Sequence, residues 1–217
     1  TDAVETLVMF LDTVITDFLE NLEDLKNSED LEKQTAFHFM QRAYKFAKEH
    51  RALGLGVLGW HTYLQENNIA VESKEASELN KEIFKLVKEK AYNASADLAK
   101  DFGEPEILKG YGRRNTTLMA IAPTTSSAFI LGQVSQGIEP YMSNAFVKDV
   151  DKMKVTIKNP ALIELLEVKG QNNPEVWSSI RDNDGSVQHL TFLTLHEKMV
   201  FRTFSEIDQK VIIDQAA

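Results

Sequence analysis

Helical periodicity is the feature of this sequence that most constrains its fold. Between residues 4 and 22, apolar side chains recur at steps of three and four, as on one face of an amphipathic helix: Val4, Leu7, Val8, Leu11, Val14, Ile15, Phe18, Leu19 and Leu22. Similar spacing predicts helices over residues 32–49, 60–65 and 73–98, the last of them closed by Gly103 and Pro105. The first half of the chain is therefore expected to be helical.

The helix predicted over residues 32–49 is expected to turn one apolar side inward. The acidic run over residues 20–32 is interpreted as a solvated face, with a partner surface as the less favoured alternative. Four residues with helical spacing would form the inward side: Phe39, Ala43, Phe46 and Ala47.

Short apolar segments replace the helical pattern in the second half. Residues 116–122 (TTLMAIA) form an apolar run that ends at Pro123, as a buried strand would. Residues 145–150 and 154–157 are two further strand candidates. The sequence therefore predicts an α/β fold that is helix-rich and contains a few strands.

Local signals predict further helix starts and a turn in the second half. Asn159 and Asn173 each precede a proline, which places an N-cap residue before a proline at the first helical position. Ser205 followed by Asp208 indicates another helix start. The DNDG run over residues 182–185 predicts a turn.

The chain is expected to form one structural unit. No repeat, linker or low-complexity stretch interrupts residues 1–217, so we expect a single domain that is mainly helical over residues 1–110 and mixed over residues 111–217. Because a helical pattern is already running by Val4 and another still runs at Ala217, we expect a piece of a longer polypeptide.

Charge and cysteine content argue against several function classes. The chain has 24 Lys and Arg against 33 Asp and Glu, a net charge of −9, whereas nucleic-acid binding needs an excess of basic residues. The cysteine count of 0 removes disulfides, thiolate metal sites and thiol nucleophiles. No stretch approaches the ~20 apolar residues of a membrane span, and there is no signal peptide. We expect a soluble, cytoplasmic chain with neither nucleic acid nor membrane as partner.

Residues 54–59 (GLGVLG) match the GxGxxG pattern of dinucleotide-binding turns. Such a turn needs a strand before it and an acidic residue about 20 residues later, at the end of the next strand. Here a charged helical segment, residues 45–51, precedes the pattern, and Glu75 and Glu78 fall in a predicted helix. We therefore interpret the glycines as positions of close helix packing or of a bend.

The histidines do not form a metal-binding pattern. His196-Glu197 begins like the helix of a zinc protease, but position 200 is Val, so the second histidine is missing. We interpret the histidines as surface residues or hydrogen-bonded core residues, and we predict no metal site.

Hydroxyl side chains crowd residues 123–128 (PTTSSA), just before the apolar run of residues 129–131. If that run opens a helix, the hydroxyls lie at its positive end, where a phosphate or diphosphate can bind without Lys or Arg. Because one hydroxyl is enough to cap a helix, an over-supplied N-cap is an equal alternative on physical grounds. Downstream, residues 137–141 (GIEPY) predict a loop with a buried acid, Glu139.

Taken together, several stretches resemble the large, catalytic subunit of class I ribonucleotide reductase. Each stretch alone is only modestly specific, but their ordered combination is strong and covers nearly the whole chain. The matching stretches are RALGLGVLG (51–59), RNTTL (114–118), APTTSS (122–127), GIEPY followed by SN (137–144), SVQHL (186–190) and EKMVFRTFSEIDQ (197–209).

The resemblance implies a fold, a reaction and partners. Such subunits reduce ribonucleotides to deoxyribonucleotides, for DNA synthesis, inside a ten-stranded α/β barrel. A thiyl radical on a loop cysteine abstracts the ribose 3′ hydrogen, a glutamate acts as base, and two further cysteines supply the electrons. This chain would be the second half of that barrel. Its partners would be the nucleoside diphosphate, the remainder of the large subunit and a small subunit whose metal centre generates the radical.

The resemblance also assigns a substrate-binding loop. Thr125 departs mildly from the residues common in that loop, which matters little if backbone N–H groups make the contacts. Glu139 is given no catalytic role, because the segment before it is slightly longer than in some relatives. The residues expected to hold the substrate diphosphate are Thr124, Thr125, Ser126, Ser127 and Ala128.

The absence of cysteine decides what the chain can do alone. Without thiols we expect no catalytic residue, no metal and no cofactor in this chain, and therefore no turnover. The first hypothesis is a fragment of the reductase large subunit. A non-catalytic split subunit that assembles with a cysteine-bearing chain is the second, and a helical interaction module without nucleotide binding is the third. In each case exposed barrel edges would favour homo-oligomers.

Overall fold

The computed structural model describes residues 2–150 and 153–217 and is helix-rich, as the sequence predicts. The helices are α1 (Asp2–Asn27), α2 (Leu31–His50), α3 (Trp60–Glu66), α4 (Lys74–Phe102), α5 (Thr125–Ile130), α6 (Pro160–Val168), α7 (Pro174–Asp182), α8 (Leu195–Val200) and α9 (Gln209–Ala216). Strands β1 (Ala145–Val150) and β2 (Met153–Lys158) pair as an antiparallel hairpin, with Ala145 opposite Lys158. Within these described ranges, no helix is both long and apolar enough to cross a membrane.

The chain divides into two compact units that interleave along the sequence. The first unit contains the chain up to Gly56 together with Glu82–Ala120, and the second contains Val57–Lys81 and Ile121–Ala217. The expectation of one domain over residues 1–217 stays a prediction.

In the first unit, helices α1 and α4 pack against two extended segments, residues 53–55 and 117–120. Backbone hydrogen bonds join these segments, from Leu53 N–H to Thr117 O (3.0 Å) and from Leu55 N–H to Leu118 O (2.8 Å). The buried residues of this core are Val8, Leu53, Ala91, Ala94, Leu98 and Leu118.

The strand predicted over residues 116–122 is only partly present. Among the described residues this run forms a single parallel bridge, between Leu55 and Met119, and Ile121 is 61% exposed. Its backbone hydrogen bonds run from Thr116, which pairs with His50, to Ala120, which pairs with Leu55, so the ladder ends after this bridge. The apolar run therefore predicts an extended segment correctly but overestimates its pairing and burial.

A buried cluster of charged and polar groups holds the first unit together. The Asp12 carboxylate accepts hydrogen bonds from Arg51 Nε (2.8 Å) and Nη2 (2.9 Å), and from Arg114 Nε (2.9 Å). Asn115 Nδ2 donates to the same carboxylate (2.9 Å), and Asn115 Oδ1 accepts from the Ser95 hydroxyl (2.7 Å). Both carboxylate oxygens are thus matched by donors, which is the condition under which a buried charge is tolerated.

Two of these residues also close helix ends. Arg51 adopts a left-handed conformation (φ 42°) as the C-cap of α2 and donates its own backbone N–H to Ala47 O. Arg114 Nη1 donates to the carbonyls of Phe102 (2.9 Å) and Gly103 (2.8 Å) at the end of α4. The cluster therefore ties α1 to the C-terminal ends of α2 and α4.

The inward side predicted for α2 is wrong, although the helix itself is confirmed. None of the residues of α2, all of which the structure describes, is buried: Phe39 is 80% and Phe46 54% exposed. Ala43 is exposed and Ala47 half-buried. Instead, α2 meets α1 through polar groups, since Tyr44 donates a hydrogen bond to Glu23 of α1. Periodicity locates an apolar stripe, but it does not show whether another element covers it.

In the second unit, helices α6, α7 and α8 surround an apolar core. The predicted N-caps are confirmed, because Asn159 accepts from Ala161 N–H and Asn173 from Val176 N–H. The start predicted near Ser205 and Asp208 falls at Asp208, which caps α9. The main core residues are Leu162, Leu166, Trp177, Ile180, Val187, Leu190, Leu193, Val200 and Phe201.

The turn predicted over residues 182–185 is confirmed. Asp184 (φ 56°) and Gly185 (φ 81°) are both left-handed after the end of α7. A Cβ at Gly185 would overlap Ser143 Oγ and lie 2.7 Å from Ser143 Cα, so only glycine fits there.

The Asp12 cluster yields the first testable prediction. Burial acts to raise the pKa of Asp12, but hydrogen bonds from Arg51, Arg114 and Asn115 outweigh it and hold the pKa below its ordinary value. Asp12→Asn leaves the buried guanidinium of Arg51 and the partly buried guanidinium of Arg114 without their counter-charge. We expect it to lower the free energy of unfolding by about 3–5 kcal/mol in urea titrations. The control Glu5→Gln removes a partly exposed pair with Lys90 and should cost about 1 kcal/mol or less. Equal, small losses for both variants would contradict this reading of the cluster.

Candidate functional site

The hydroxyl-rich residues 124–128 lie at the beginning of α5. Thr124 is the N-cap residue, in a left-handed conformation (φ 49°, ψ 27°), and within the described chain its side chain makes no capping hydrogen bond. Thr124 is half-buried, whereas Thr125, Ser126 and Ser127 are exposed and Ala128 is buried. The first N–H groups of any helix lack partners within it, so this exposed start presents hydrogen-bond donors to solvent.

Two of the four hydroxyls are already engaged by a neighbouring segment. The Gly137 N–H donates to Thr124 Oγ1 (2.9 Å), and the Thr125 hydroxyl donates to Gln136 Oε1 (3.1 Å). Neither threonine hydroxyl therefore acts as the simple N-cap that the sequence allowed as an alternative.

The segment over residues 133–141 is held by helix α3. Gly59 N–H donates to Ser135 O (2.8 Å), and Trp60 N–H donates to Gly137 O (3.4 Å). At the far end of the segment, Tyr141 N–H donates to His61 Nδ1 (3.1 Å). Three successive residues at the start of α3 thus anchor this segment at Ser135, Gly137 and Tyr141.

Gly137 is the tightest point of this arrangement. It has φ 52°, and a Cβ there would lie 2.6 Å from the carbonyl oxygen of Ala122. The segment therefore passes directly against the backbone that leads into the candidate loop.

Glu139 is exposed, so the prediction of a buried acid in this loop is wrong. Its neighbours Gly137, Ile138 and Pro140 are buried instead. The tight turn in which Glu139 N–H donates to Gln136 O (2.9 Å) directs this side chain to solvent.

His61 is a hydrogen-bonded core histidine, as the sequence allowed. Complete burial lowers its pKa to about 3, and a hydrogen bond to the Val200 carbonyl acts in the opposite direction. A neutral ring is required here, since Nδ1 must accept the Tyr141 N–H.

The expectation that the chain holds no metal stays a prediction.

The glycines of the GxGxxG pattern serve close packing and a bend. A Cβ at Gly54 would lie 3.1 Å from the Cβ of Ala120, and one at Gly56 would lie 2.7 Å from Ala120 O. Gly59 (φ 80°) is the N-cap of α3. Their packing partner is an extended segment rather than a helix, which corrects one part of the expectation.

Sequence reasoning missed the residues that hold the candidate loop. Thr62, Ser135 and Gln136 belong to no motif, and their pairing joins positions up to 73 residues apart. One signal was available: the short helix WHTYLQE buries the polar residues His61, Thr62 and Gln65. Buried polar groups need partners, and two of these three find them in residues 133–141: Thr62 in Ser135, and His61 in Tyr141.

By its fold the chain is a helix-rich protein whose candidate site is an anchored, hydroxyl-rich loop at a helix start. The family model described as "Ribonucleotide reductase, barrel domain" matches residues 1–107 and 105–217. The chain therefore belongs to the ribonucleotide reductase barrel-domain family, which confirms the resemblance inferred from the sequence.

Individual relatives agree with this assignment. A protein of Frog virus 3 (isolate Goorha) is 42% identical over 217 residues, which cover 100% of this chain and 36% of that protein. The ribonucleoside-diphosphate reductase large subunit of Invertebrate iridescent virus 6 is 37% identical over 234 residues, covering 100% of this chain and 24% of that protein. The solved structure of the Actinobacillus ureae class Id ribonucleotide reductase alpha subunit has 54% identity and a TM-score of 0.85, with 100% of this chain and 37% of that chain covered. The chain thus spans between about a quarter and just over a third of these relatives.

Gly137 and Gly132 form a matched pair for a second prediction. Both have positive φ (52° and 96°), but a Cβ at Gly132 would meet nothing within 4 Å. Gly132→Ala should therefore cost about 1–2 kcal/mol from backbone strain alone. Gly137→Ala adds a clash with Ala122 O and should cost at least about 3 kcal/mol in the same urea titration. Equal losses would show that the close approach to Ala122 does not constrain the loop.

His61 yields a prediction about pH. The folded chain keeps His61 neutral down to about pH 3, whereas the unfolded chain binds a proton near pH 6.5. The stability that depends on the neutral ring is therefore fully present above pH 6.5 and is lost as the pH falls towards 3. In His61→Asn, Oδ1 can still accept the Tyr141 N–H but does not titrate. Urea titrations at several pH values should show wild type losing about 1.4 kcal/mol more per pH unit than the variant within this window. If the free energies of unfolding of wild type and variant changed in parallel with pH, the neutral state assigned to His61 would be contradicted.

Proposed function

We propose that this chain is a segment of a ribonucleoside-diphosphate reductase large subunit that holds the diphosphate of the substrate. The loop Thr124–Ala128 would make this contact, and the chain would form the second half of a ten-stranded α/β barrel. The observation that carries the proposal is family membership along the entire chain, together with an exposed donor-rich loop at the position that the resemblance assigns to the diphosphate. The described residues contribute one two-stranded sheet, so the barrel would be completed by other strands.

The geometry indicates which atoms of the loop would bind the diphosphate. The Thr124 hydroxyl contacts Gly137 and the Thr125 hydroxyl contacts Gln136, so these two side chains position the loop. Exposed Ser126 and Ser127, together with the backbone N–H groups at the start of α5, remain to face a ligand. Since α5 has no basic residue, N–H groups would carry most of the interaction with the phosphate oxygens.

Catalysis would need groups that this sequence does not contain. Reduction in this family depends on cysteine thiols, and the chain has 0 Cys. We therefore propose that the cysteines come from the remainder of the large subunit, and that a metal-containing small subunit generates the radical. Within this chain no residue is proposed as catalytic, and Glu139 has no assigned role. The proposed compartment is the cytoplasm.

One observation favours a second candidate, a non-catalytic subunit or helical module that assembles with another polypeptide. Helix α2 has no buried residue, although it carries exposed Leu31, Phe39 and Phe46, and all its residues are described. Apolar side chains at this density favour association. A split subunit would still bind diphosphate, whereas an interaction module would not.

Calorimetric titration with a nucleoside diphosphate and with the corresponding nucleoside tests the proposed function. We expect about tenfold tighter binding of the diphosphate, equivalent to about 1.4 kcal/mol. The double variant Ser126→Ala/Ser127→Ala should weaken that binding only a few-fold, because backbone N–H groups remain.

A matched control for this titration is available in α7. The double variant Ser178→Ala/Ser179→Ala also removes two adjacent serine hydroxyls, and it should leave the affinity unchanged. Equal affinity of the folded wild-type chain for nucleoside and diphosphate would refute a working phosphate loop.

A further inference from the structure

We propose that Thr62, inside helix α3, is a positioning residue for the diphosphate loop. Its hydroxyl fixes the segment over residues 133–137, and that segment holds Thr124 and Thr125 in place. The inference rests on the proposed function and adds to it the residue that shapes the binding loop from a distance.

The first step is a reciprocal pair between Thr62 and Ser135. Ser135 N–H donates to Thr62 Oγ1 (2.8 Å), and Thr62 N–H donates to Ser135 Oγ (3.2 Å). Both residues are buried, with 3% and 1% of their surface exposed. The N-cap of α3 is Gly59, which has no side chain to satisfy the N–H groups of the first turn. Ser135 supplies that cap from 73 positions along the chain.

The second step joins Tyr141 to the same hydroxyl. Tyr141 Oη lies 2.7 Å from Thr62 Oγ1 and donates to Gln133 O (2.8 Å). Because the tyrosine proton goes to Gln133, the Thr62 hydroxyl donates to Tyr141 while it accepts from Ser135. Burial raises the pKa of Tyr141 to about 12, so the phenol keeps this proton at neutral pH.

The third step connects the Thr62–Ser135 pair to the candidate loop. The two residues that follow Ser135 make the contacts with the loop: Gln136 Oε1 with the Thr125 hydroxyl, and Gly137 N–H with Thr124 Oγ1. A shift of Ser135 would therefore move both partners at once. Since Thr124 lacks a capping bond of its own within the described residues, these contacts determine where α5 begins.

Other threonines in this chain show that the Thr62 arrangement is specific. Thr13, Thr16 and Thr35 donate to the carbonyl four residues earlier in their own helices, which is the usual bond of a helical threonine. Thr62 instead directs its hydroxyl to residues 135 and 141. Its side chain serves the loop segment rather than its own helix.

The test compares Thr62→Val, Thr62→Ser and the control Thr117→Val in the full chain. Valine keeps the shape of threonine and removes the hydroxyl, whereas serine keeps the hydroxyl. Thr117 is a control for the loss of a threonine hydroxyl elsewhere: this exposed residue donates to Leu53 O (2.8 Å) in the other unit. The measurements are amide hydrogen exchange at Ser135 and Gly137 and the dissociation constant of inorganic pyrophosphate.

We expect Thr62→Val to exchange at least tenfold faster at Ser135 and Gly137 and to bind pyrophosphate about tenfold more weakly. Thr62→Ser should restore both values to within about threefold of wild type. Thr117→Val should leave pyrophosphate binding unchanged even where it lowers stability. If Thr62→Val does not fold, Tyr141→Phe removes two bonds of the same network, those with Thr62 and Gln133, and should shift both measurements in the same direction.

Each contrary outcome identifies which claim fails. Faster exchange at Ser135 with unchanged pyrophosphate affinity would overturn the positioning role and leave the proposed function intact. If Thr62→Val and Thr117→Val weakened pyrophosphate binding equally, Thr62 would have only a general role in stability. A folded wild-type chain that does not bind pyrophosphate would overturn the proposed function and the positioning role together.

Discussion

The buried carboxylate of Asp12 is the interaction on which the first unit depends. Two guanidinium groups are enclosed there, and a charge taken out of water is tolerated only beside a hydrogen-bonded counter-charge. Arg51 must reach Asp12 for α2 to end where it does, and Arg114 must reach it for the chain to turn back after α4. One side chain of α1 therefore sets the positions of two helix ends and of the extended segment that follows Arg114.

The second unit meets the same requirement with neutral groups. Asn159 Nδ2 donates to Gln65 Oε1 (2.9 Å) and to Asn144 Oδ1 (2.8 Å), while Asn144 Nδ2 donates to the carbonyls of Gly185 (2.9 Å) and Phe201 (2.8 Å). Amides can both donate and accept, so this network joins α3, the start of α6 and two loops without burying a net charge. Such a network rigidifies its surroundings when its members are satisfied, which suits a unit that must hold a loop in one conformation.

Local signals predicted this fold better than long-range ones. The N-caps at Asn159 and Asn173 were readable because capping joins residues two or three positions apart. Family resemblance identified the family, which periodicity could not. Burial of α2 was predicted wrongly because an apolar stripe does not identify its cover, and the pairing of Thr62 with Ser135 was invisible because it spans 73 positions. In this chain the elements follow from local chemistry, whereas the order of the candidate site follows from contacts between distant residues.

The conformation of Thr124 explains why the loop needs these distant contacts. A β-branched residue at φ 49° is strained by about 1–3 kcal/mol, and such strain persists only where the surroundings impose it. Here the surroundings are Gly137, which donates to Thr124 Oγ1 and packs against Ala122. The strain at Thr124 is thus offset by the hydrogen bonds that join residues 133–137 to α3 and to the loop. A loop held in this way keeps its N–H groups in a fixed arrangement before any ligand arrives, so binding would not have to supply the entropy of ordering it.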